Sequence, residues 1–266
     1  MIAELEGKIF PDRPYRVCTE VVGDFIEVTG DDPDRWQQAA PPGFAAALLF
    51  VVAPELLSDP SISGGVVHGD QTFNWLSPLR IESDLAVTGV VEKVRTRGET
   101  ALVGFSLIAR DPEGPVVEGR STFLTTMSRP GPSPEQAPVA ALQRAATTTV
   151  DVTLPSPRSA SRADLIRYAA ATRDWNPIHW DHASAVDAGL GGVVVHGLLQ
   201  SSWLTQTAAL AVPGDRPLES ARFRYTAPLR PGAAARIEGD LAGPKIDLRL
   251  VANEVTTVSG RFQVAS

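Results

Sequence analysis

The chain has 266 residues, a formal net charge of −7 and a single cysteine, Cys18. One cysteine excludes an intramolecular disulfide and fits a reducing compartment, and the acidic balance argues against nucleic acid as a partner. The N-terminus lacks a basic start followed by a long apolar run, and the apolar stretch 44–53 is much shorter than the roughly 20 residues of a membrane-spanning helix. We therefore expect a soluble, cytoplasmic protein that binds neither membrane nor nucleic acid.

A hydrophobic content of 43% supports a globular core, and the length allows two ordinary domains. The segment from Ser128 to Pro138 is rich in proline and lacks apolar periodicity, which indicates an extended connector. We predict an N-terminal domain over 1–128, a linker over 129–147 and a C-terminal domain over 148–266.

The two halves look like copies of one unit. The pattern Phe-x-aromatic-x-x-Pro-Leu-Arg begins at Phe73 and again at Phe223, 150 residues later. In each half an apolar helix precedes the pattern, beginning at Gly43 or Gly197, and three strand-like runs follow it. These runs cover 85–94, 101–109, 116–127, 235–241, 245–252 and 256–264. A buried helix followed by antiparallel strands predicts an α+β fold with a sheet curved around the helix, and edge strands of two such units can join into one sheet.

The second half has a further predicted helix, which precedes the most polar turn of the chain. Ser161 and Asp164 have capping-box spacing, and Pro177 disfavours the α conformation at the preceding residue, so this helix should end near Arg173. The turn that follows contains Asp174 and brings it towards the histidine five residues later. Further on, we predict a short helix that begins after Asp181 and stops at Gly189.

The chemistry-bearing residues lie in this turn and at the next helix. Asp174 and His179 supply a carboxylate and an imidazole that can share a water molecule, and Gly197 supplies an unblocked amide at a helix N-terminus that can bind a carbonyl oxygen. This set suits the addition of water across a double bond conjugated to a thioester carbonyl. Taken singly, each residue also has a structural interpretation: a helix exit, a hydrogen-bonded histidine and a packing glycine. A metal site formed with His182 is disfavoured because no third strong ligand has the usual spacing, and neither a metal nor another cofactor is expected.

Together these residues resemble the MaoC-like or R-specific enoyl-CoA hydratase (hydratase 2) family. The motif Asp-x-Asn-Pro-hydrophobic-His is present as DWNPIH, and a Val-x-His-Gly-type sequence places Gly197 eighteen residues after His179. The resemblance covers about 160–232 and implies a double hot-dog fold, an enoyl-thioester substrate and a place in fatty acid metabolism. It implies Asp174, His179 and Gly197 as catalytic residues, with Asn176, Thr205 and His196 in supporting positions. At the position of Thr205 relatives often have serine.

The first copy lacks this chemistry and is expected to be a non-catalytic, dehydratase-like hot-dog unit. Asp31 and Pro33 are a faint relic of the motif, and no histidine occurs before His68. His68 is expected to be structural, because a strand-like sequence follows it. We also expect that the segment missing from this copy leaves space for an acyl chain.

Basic residues near the second pattern are candidate phosphate ligands. Arg222 and Arg224 alternate along a predicted strand, so they either share a substrate-binding face or belong to a solvated face of the sheet.

Two further functions remain open: a hot-dog acyl-thioesterase, and a non-catalytic acyl-binding subunit of a larger dehydratase. The sequence leaves open the identity of the acyl group and its carrier (coenzyme A or acyl-carrier protein). It also leaves open which of Asp174 and His179 is the base, and whether a homodimer forms.

Overall fold

The computed structural model describes residues 2–59, 62, 66–126 and 157–265. The predicted linker over 129–147, with the domain boundaries at 128 and 148, lies outside these ranges. The first half contains β1 (Ile9–Arg16), α1 (Thr19–Thr29), α2 (Ala45–Leu57), β2 (Val66–Trp75), β3 (Asp84–Arg97), β4 (Thr100–Asp111) and β5 (Gly114–Thr126). The second half contains α3 (Arg162–Thr172), α4 (His182–Asp187), α5 (Gly197–Ala209), β6 (Leu218–Tyr225), β7 (Arg236–Asp240), β8 (Lys245–Ala252) and β9 (Val255–Val264). None of these described helices is long and apolar enough to cross a membrane.

The described strands form one antiparallel sheet in the order β1-β3-β4-β5-β2-β6-β9-β8-β7. Strands β2 and β6 are the inner edges of the two halves, and they pair with each other. The expectation that edge strands of the two units join into a continuous sheet is therefore confirmed, and the pairing satisfies backbone groups that an open edge would expose.

The junction between the two halves has the register expected of a twofold repeat. Thr72 pairs with Arg222, and these residues are 150 positions apart, like the two copies of the sequence pattern. Phe73 pairs with Ala221, and Gln71 pairs with Phe223. Adding 150 to the first-half residue of either pair gives the second-half residue of the other pair, so exchanging the two copies leaves the register unchanged.

Helices α2 and α5 pack on the inner face of the sheet and form the centre of the core. Every residue from Leu198 to Ala209 is buried, including several hydroxyl residues. Those hydroxyls are satisfied inside the helix, because Ser202 and Thr205 donate to the carbonyls four residues earlier at 2.8 and 2.7 Å. A helix without a polar face can thus be buried on all sides.

Candidate active site

The turn that carries the polar residues is formed as the sequence predicts. Ser161 and Asp164 make a reciprocal capping box at the start of α3, and the helix ends at Arg173, which adopts the left-handed conformation with φ of 65°. Asp181 caps α4 by accepting a hydrogen bond from the Ser184 amide at 2.7 Å. Between the two helices, Pro177–His179 form a single 3-10 turn.

Asp174 and His179 meet in a buried site at this turn. Both residues are less than a tenth exposed, and Oδ2 of Asp174 lies 4.0 Å from Nε2 of His179. Nδ1 of His179 lies 2.8 Å from the Val194 carbonyl, which can only accept, so Nδ1 carries the proton and Nε2 keeps its lone pair. Burial raises the pKa of Asp174 to about 7 and lowers that of His179 to about 4. Near neutral pH the site therefore holds a neutral imidazole and a carboxyl group close to its titration point.

His196 supports both groups. Its ring stacks on the His179 ring with centroids 3.7 Å apart and an interplanar angle of 24°. Its Nε2 lies 3.2 Å from the backbone carbonyl of Asp174, to which it donates. Burial lowers the pKa of His196 well below its ordinary value, so the ring is neutral. The stacking and the hydrogen bond fix the orientation of His179 relative to Asp174.

The three side chains also have donor atoms within 4.8 Å of one another, a grouping that can hold a metal ion. The stacked imidazoles argue against it, since nearly parallel rings direct their lone pairs side by side and not towards one point.

Gly197 begins α5 and lies in the wall of the same cavity. Its amide is the first of the helix, so it has no acceptor within the helix and lies at the positive end of the dipole. A Cβ at this position would approach the Tyr225 ring to 2.9 Å. Only glycine lets the backbone come this close to the ring.

One cavity of about 190 Å³ is lined by Asp174, His179 and Gly197. The second half contributes the polar residues and Gly197, together with Leu190, Val194 and Val195. The first half contributes one side of the apolar wall, with side chains from α2, β2 and β5: Phe50, Leu57, Val66, Val67 and Phe123. A molecule bound in this cavity would therefore lie between the two halves.

The loop that closes one side of the cavity is held by an arginine. Arg230 donates to the carbonyls of Gly192 at 2.6 Å and Val193 at 3.3 Å, and also to that of Leu190. This clamp lies next to Val194, whose carbonyl orients His179.

His68 was expected to be structural, and it does bond Gln71 at 3.0 Å, but it also lies in the cavity wall. Its ring contacts Tyr225, with centroids 5.2 Å apart. The His-Gly pair at this position could have indicated a functional residue. The strand-like residues that follow it favoured a structural role instead, and they do not show that the side chain lines the cavity.

Three other residues that were predicted for the site lie outside the cavity: Thr205, Arg222 and Arg224. The Thr205 hydroxyl donates to the Ser201 carbonyl inside α5 and does not line the cavity. Arg222 and Arg224 are exposed on β6, on the face opposite buried Phe223, so they lie on the solvent side of the sheet and outside the cavity.

The position in the first half that corresponds to the site is filled by side chains. A Cβ at Gly43 would lie 3.0 Å from the Ser202 hydroxyl. The Arg158 guanidinium lies near Gly30 and donates to Gln206 at 2.9 Å. Side chains therefore occupy the vestigial position where space for an acyl chain was expected.

Comparison with solved structures agrees with this architecture. HtdX of Mycobacterium tuberculosis superposes with a TM-score of 0.74 at 18% identity, and the match covers 98% of this chain and 100% of that chain. A conserved hypothetical protein of the same organism, described as having a double hot-dog fold, gives a TM-score of 0.65 at 14% identity over 97% of this chain and 96% of its own. The fold is thus a double hot dog, with its polar site in the second unit.

Sequence comparison identifies the family. A family model described as a MaoC like domain matches residues 136–261. An UPF0336 protein of Streptomyces coelicolor is 31% identical over 108 residues, which cover 35% of this chain and 72% of that protein. Peroxisomal multifunctional enzyme type 2 of Drosophila melanogaster is 25% identical over 240 residues, 82% of this chain but only 40% of that enzyme. A mitochondrial 3-hydroxyacyl-[acyl-carrier-protein] dehydratase of Arabidopsis thaliana is 41% identical over 51 residues, 19% of this chain and 31% of that protein. The chain belongs to the MaoC-like dehydratase family.

Proposed function

We propose that the protein is a hydro-lyase that reversibly adds water to a trans-2-enoyl thioester and forms the (R)-3-hydroxyacyl thioester. The observation that carries the proposal is the 4.0 Å separation between Oδ2 of Asp174 and Nε2 of His179 in the wall of one cavity that also contains Gly197. The hydratase 2 motif supports the R configuration, and the name of the Arabidopsis relative supports a 3-hydroxyacyl thioester as product or substrate.

The separation suits one shared water molecule. At 4.0 Å the two atoms are too far apart for a direct hydrogen bond. A water molecule about 2.8 Å from each atom would make an angle of about 90° at its oxygen, which lets it donate to Nε2 of His179 and accept from protonated Asp174. Both side chains can therefore orient one water molecule towards the β-carbon of a bound substrate.

The proton positions suggest the role of each group. His179 has its lone pair on Nε2, so it accepts the proton of the water as the new C–O bond forms. Asp174, with a pKa raised to about 7, provides the proton that the α-carbon receives. The pair regains its starting state when the proton on His179 passes to Asp174. In dehydration each step runs in reverse.

Charge develops on the thioester carbonyl oxygen during this reaction. We assign its stabilisation to the Gly197 amide at the N-terminus of α5, because this donor is fixed by the packing of the helix and needs no rearrangement. Asn176 and His196 act as positioning residues: the first shapes the turn and the second orients His179. The first unit provides one side of the acyl-binding wall and no reacting group. The thioester carrier is coenzyme A or acyl-carrier protein.

The test uses the purified chain with crotonyl-CoA. We expect the absorbance of the conjugated double bond to fall without release of free thiol, and chiral analysis to give the R product. Asp174→Asn and His179→Gln should each abolish turnover and keep the wild-type circular dichroism spectrum. His182→Gln, which changes a histidine outside the cavity, should leave the rate unchanged.

Three results would contradict the proposal. Release of free thiol would indicate a thioesterase. A folded but inactive chain would indicate a non-catalytic acyl-binding subunit. Near-normal hydration by both site variants would refute the assignment of the catalytic pair.

A further inference from the structure

The proposed reaction does not use His68. This residue belongs to β2 of the first unit and lies in the wall that would contact the acyl group. Its neighbours in that wall are apolar: Phe50, Leu57, Val66, Val67 and Phe123. His68 is therefore the one polar side chain among the described lining residues of the first unit, and its ring also contacts Tyr225 of the second unit.

A β-bulge directs this ring into the cavity. In a regular strand, side chains alternate between the two faces, and His68 would share the outer face with Asp70 and Thr72. The pairing of β2 with β5 shifts between His68 and Asp70, so Gly69 is an extra residue at this point. A Cβ on Gly69 would lie 2.4 Å from a methyl group of Leu124. The bulge places His68 on the same face as buried Gln71, as bulges beside functional sites often do for a single side chain.

Hydrogen bonds fix which nitrogen of His68 lacks a proton. The Gln71 amide nitrogen donates to the Thr72 carbonyl at 2.8 Å, so its Oε1 is the atom that meets His68 and Ser121. Nε2 of His68 lies 3.0 Å from this acceptor and therefore carries the proton. Nδ1 keeps a lone pair, and among the residues that the structure describes no hydrogen bond to it is found.

The ring is an acceptor and not a cation. Burial lowers the pKa of His68 to about 4, and the neighbouring His179 adds to this effect. Among the described lining residues there is also no lysine or arginine. An acyl group with a second carboxylate would find no positive partner here, and a plain hydrocarbon group would cover the lone pair without satisfying it.

We propose that the natural acyl group is uncharged and carries a hydrogen-bond donor, of which a hydroxyl is the simplest, and that this donor bonds Nδ1 of His68. His68 is then a specificity-determining residue supplied by the non-catalytic unit. The inference rests on the proposed hydratase activity and adds the substrate class.

Matched substrate pairs test it. Each pair consists of two trans-2-enoyl-CoA thioesters, one with a terminal hydroxyl on the acyl chain and one with a methyl group in its place, over several chain lengths. Crotonyl-CoA serves as the reference for intact chemistry. The measured quantity is the ratio of kcat/KM for hydroxyl over methyl, which we expect to be at least tenfold for the wild type at the best chain length, because a polar site rejects analogues that leave it unpaired.

Two variants separate the roles of the two ring nitrogens. His68→Gln keeps a donor near the position of Nε2 and removes the acceptor at Nδ1, so its ratio should fall to about one. His68→Asn keeps an acceptor near Nδ1 and loses the bond to Gln71, so it should retain more of the preference. Both variants should still hydrate crotonyl-CoA. A merely structural histidine would not give opposite results for the two amides.

The outcomes are distinguishable. If the wild type turns over crotonyl-CoA but shows no hydroxyl preference at any length, or prefers a terminal carboxylate, the inference is wrong and the hydratase assignment stands. Equal loss of the preference in both variants would also overturn it. If the folded wild type hydrates no enoyl-CoA at all, the proposed function fails, and the inference fails with it.

Discussion

The Asn176 side chain connects the two units at the candidate site. Its Nδ2 donates to the carbonyl of Val66 at 2.8 Å, and its Oδ1 accepts from the Ile178 amide at 3.4 Å. Val66 is the first residue of β2, and the turn that follows Asp174 belongs to the second unit. The same side chain thus caps the turn and anchors it to the wall that faces it.

Replacing the Asn176 side chain should weaken the turn and its link to Val66 to different degrees. Asn176→Asp puts a carboxylate oxygen against the Val66 carbonyl, and we expect a loss of about 1–3 kcal/mol in the free energy of unfolding together with a lower kcat. Asn176→Ser keeps a cap for the turn but cannot reach Val66, so its stability should fall less. Denaturant titration and steady-state kinetics measure both effects. An aspartate variant with wild-type stability and rate would show that the link has no energetic role.

Gly197 should not tolerate a side chain. In Gly197→Ala the new methyl group meets the Tyr225 ring at 2.9 Å, so either the helix end or the ring must move. Since loss of one oxyanion donor typically costs about 10²–10³ in rate, we expect kcat to fall by roughly tenfold or more while KM changes less.

Gly23 in α1 provides the control for this substitution, because a Cβ there meets nothing within 4 Å. Gly23→Ala should keep full activity and stabilise the fold by about 0.5–1 kcal/mol. Unchanged activity of the Gly197 variant would show that catalysis does not need the close approach of this backbone to the Tyr225 ring.

The pH dependence of the rate tests which group is the base. With His179 neutral and Asp174 protonated as the active form, kcat/KM for hydration should be steady from about pH 5 and decline above about 7, where Asp174 ionises. If ionised Asp174 were the base, the rate would instead rise through pH 7. Initial rates with crotonyl-CoA between pH 5 and 9 separate the two assignments.

The same carboxyl group should give the protein a distinctive stability profile. The folded pKa of Asp174, about 7, lies above its ordinary value of 3.8, so the folded state binds the extra proton and loses stability as the pH rises between these values. Asp174→Asn removes this loss. Relative to wild type, the variant should gain roughly 3 kcal/mol in the free energy of unfolding between pH 5 and pH 8.

Asp181, which is only partly buried, is the control for this experiment, because the Ser184 amide lowers its pKa and the sign of the effect on stability is opposite. Asp181→Asn should not gain stability as the pH rises. The pKa values of His68 and His179 are lowered to about 4, so these residues destabilise the fold as the pH falls below about 6.5, and they do so equally in wild type and in the Asp181 variant. A parallel shift of the Asp174→Asn and wild-type profiles would contradict the buried ionisation.

The first strand and helix were not predicted. Strand β1 contains Pro11 and Pro14, which lower its strand character, and it forms as an edge strand with a register shift after Phe10. Its pairing with β3, about 75 residues away along the chain, decides its conformation. Helix α1 similarly owes its place to packing against α3 in the other half.

The sequence by itself determined the features that depend on neighbouring residues: the capping box at Ser161, the helix end at Arg173, the helix cap at Asp181 and the repeat interval of 150 residues. These features follow from local hydrogen bonds and periodicity, which need only a few adjacent positions. The tertiary structure alone decided that Val66 and His68 face Asp174 and His179, more than 100 residues later. That arrangement requires both the pairing of β2 with β6 and a bulge at Gly69, and neither is encoded in the residues next to the site.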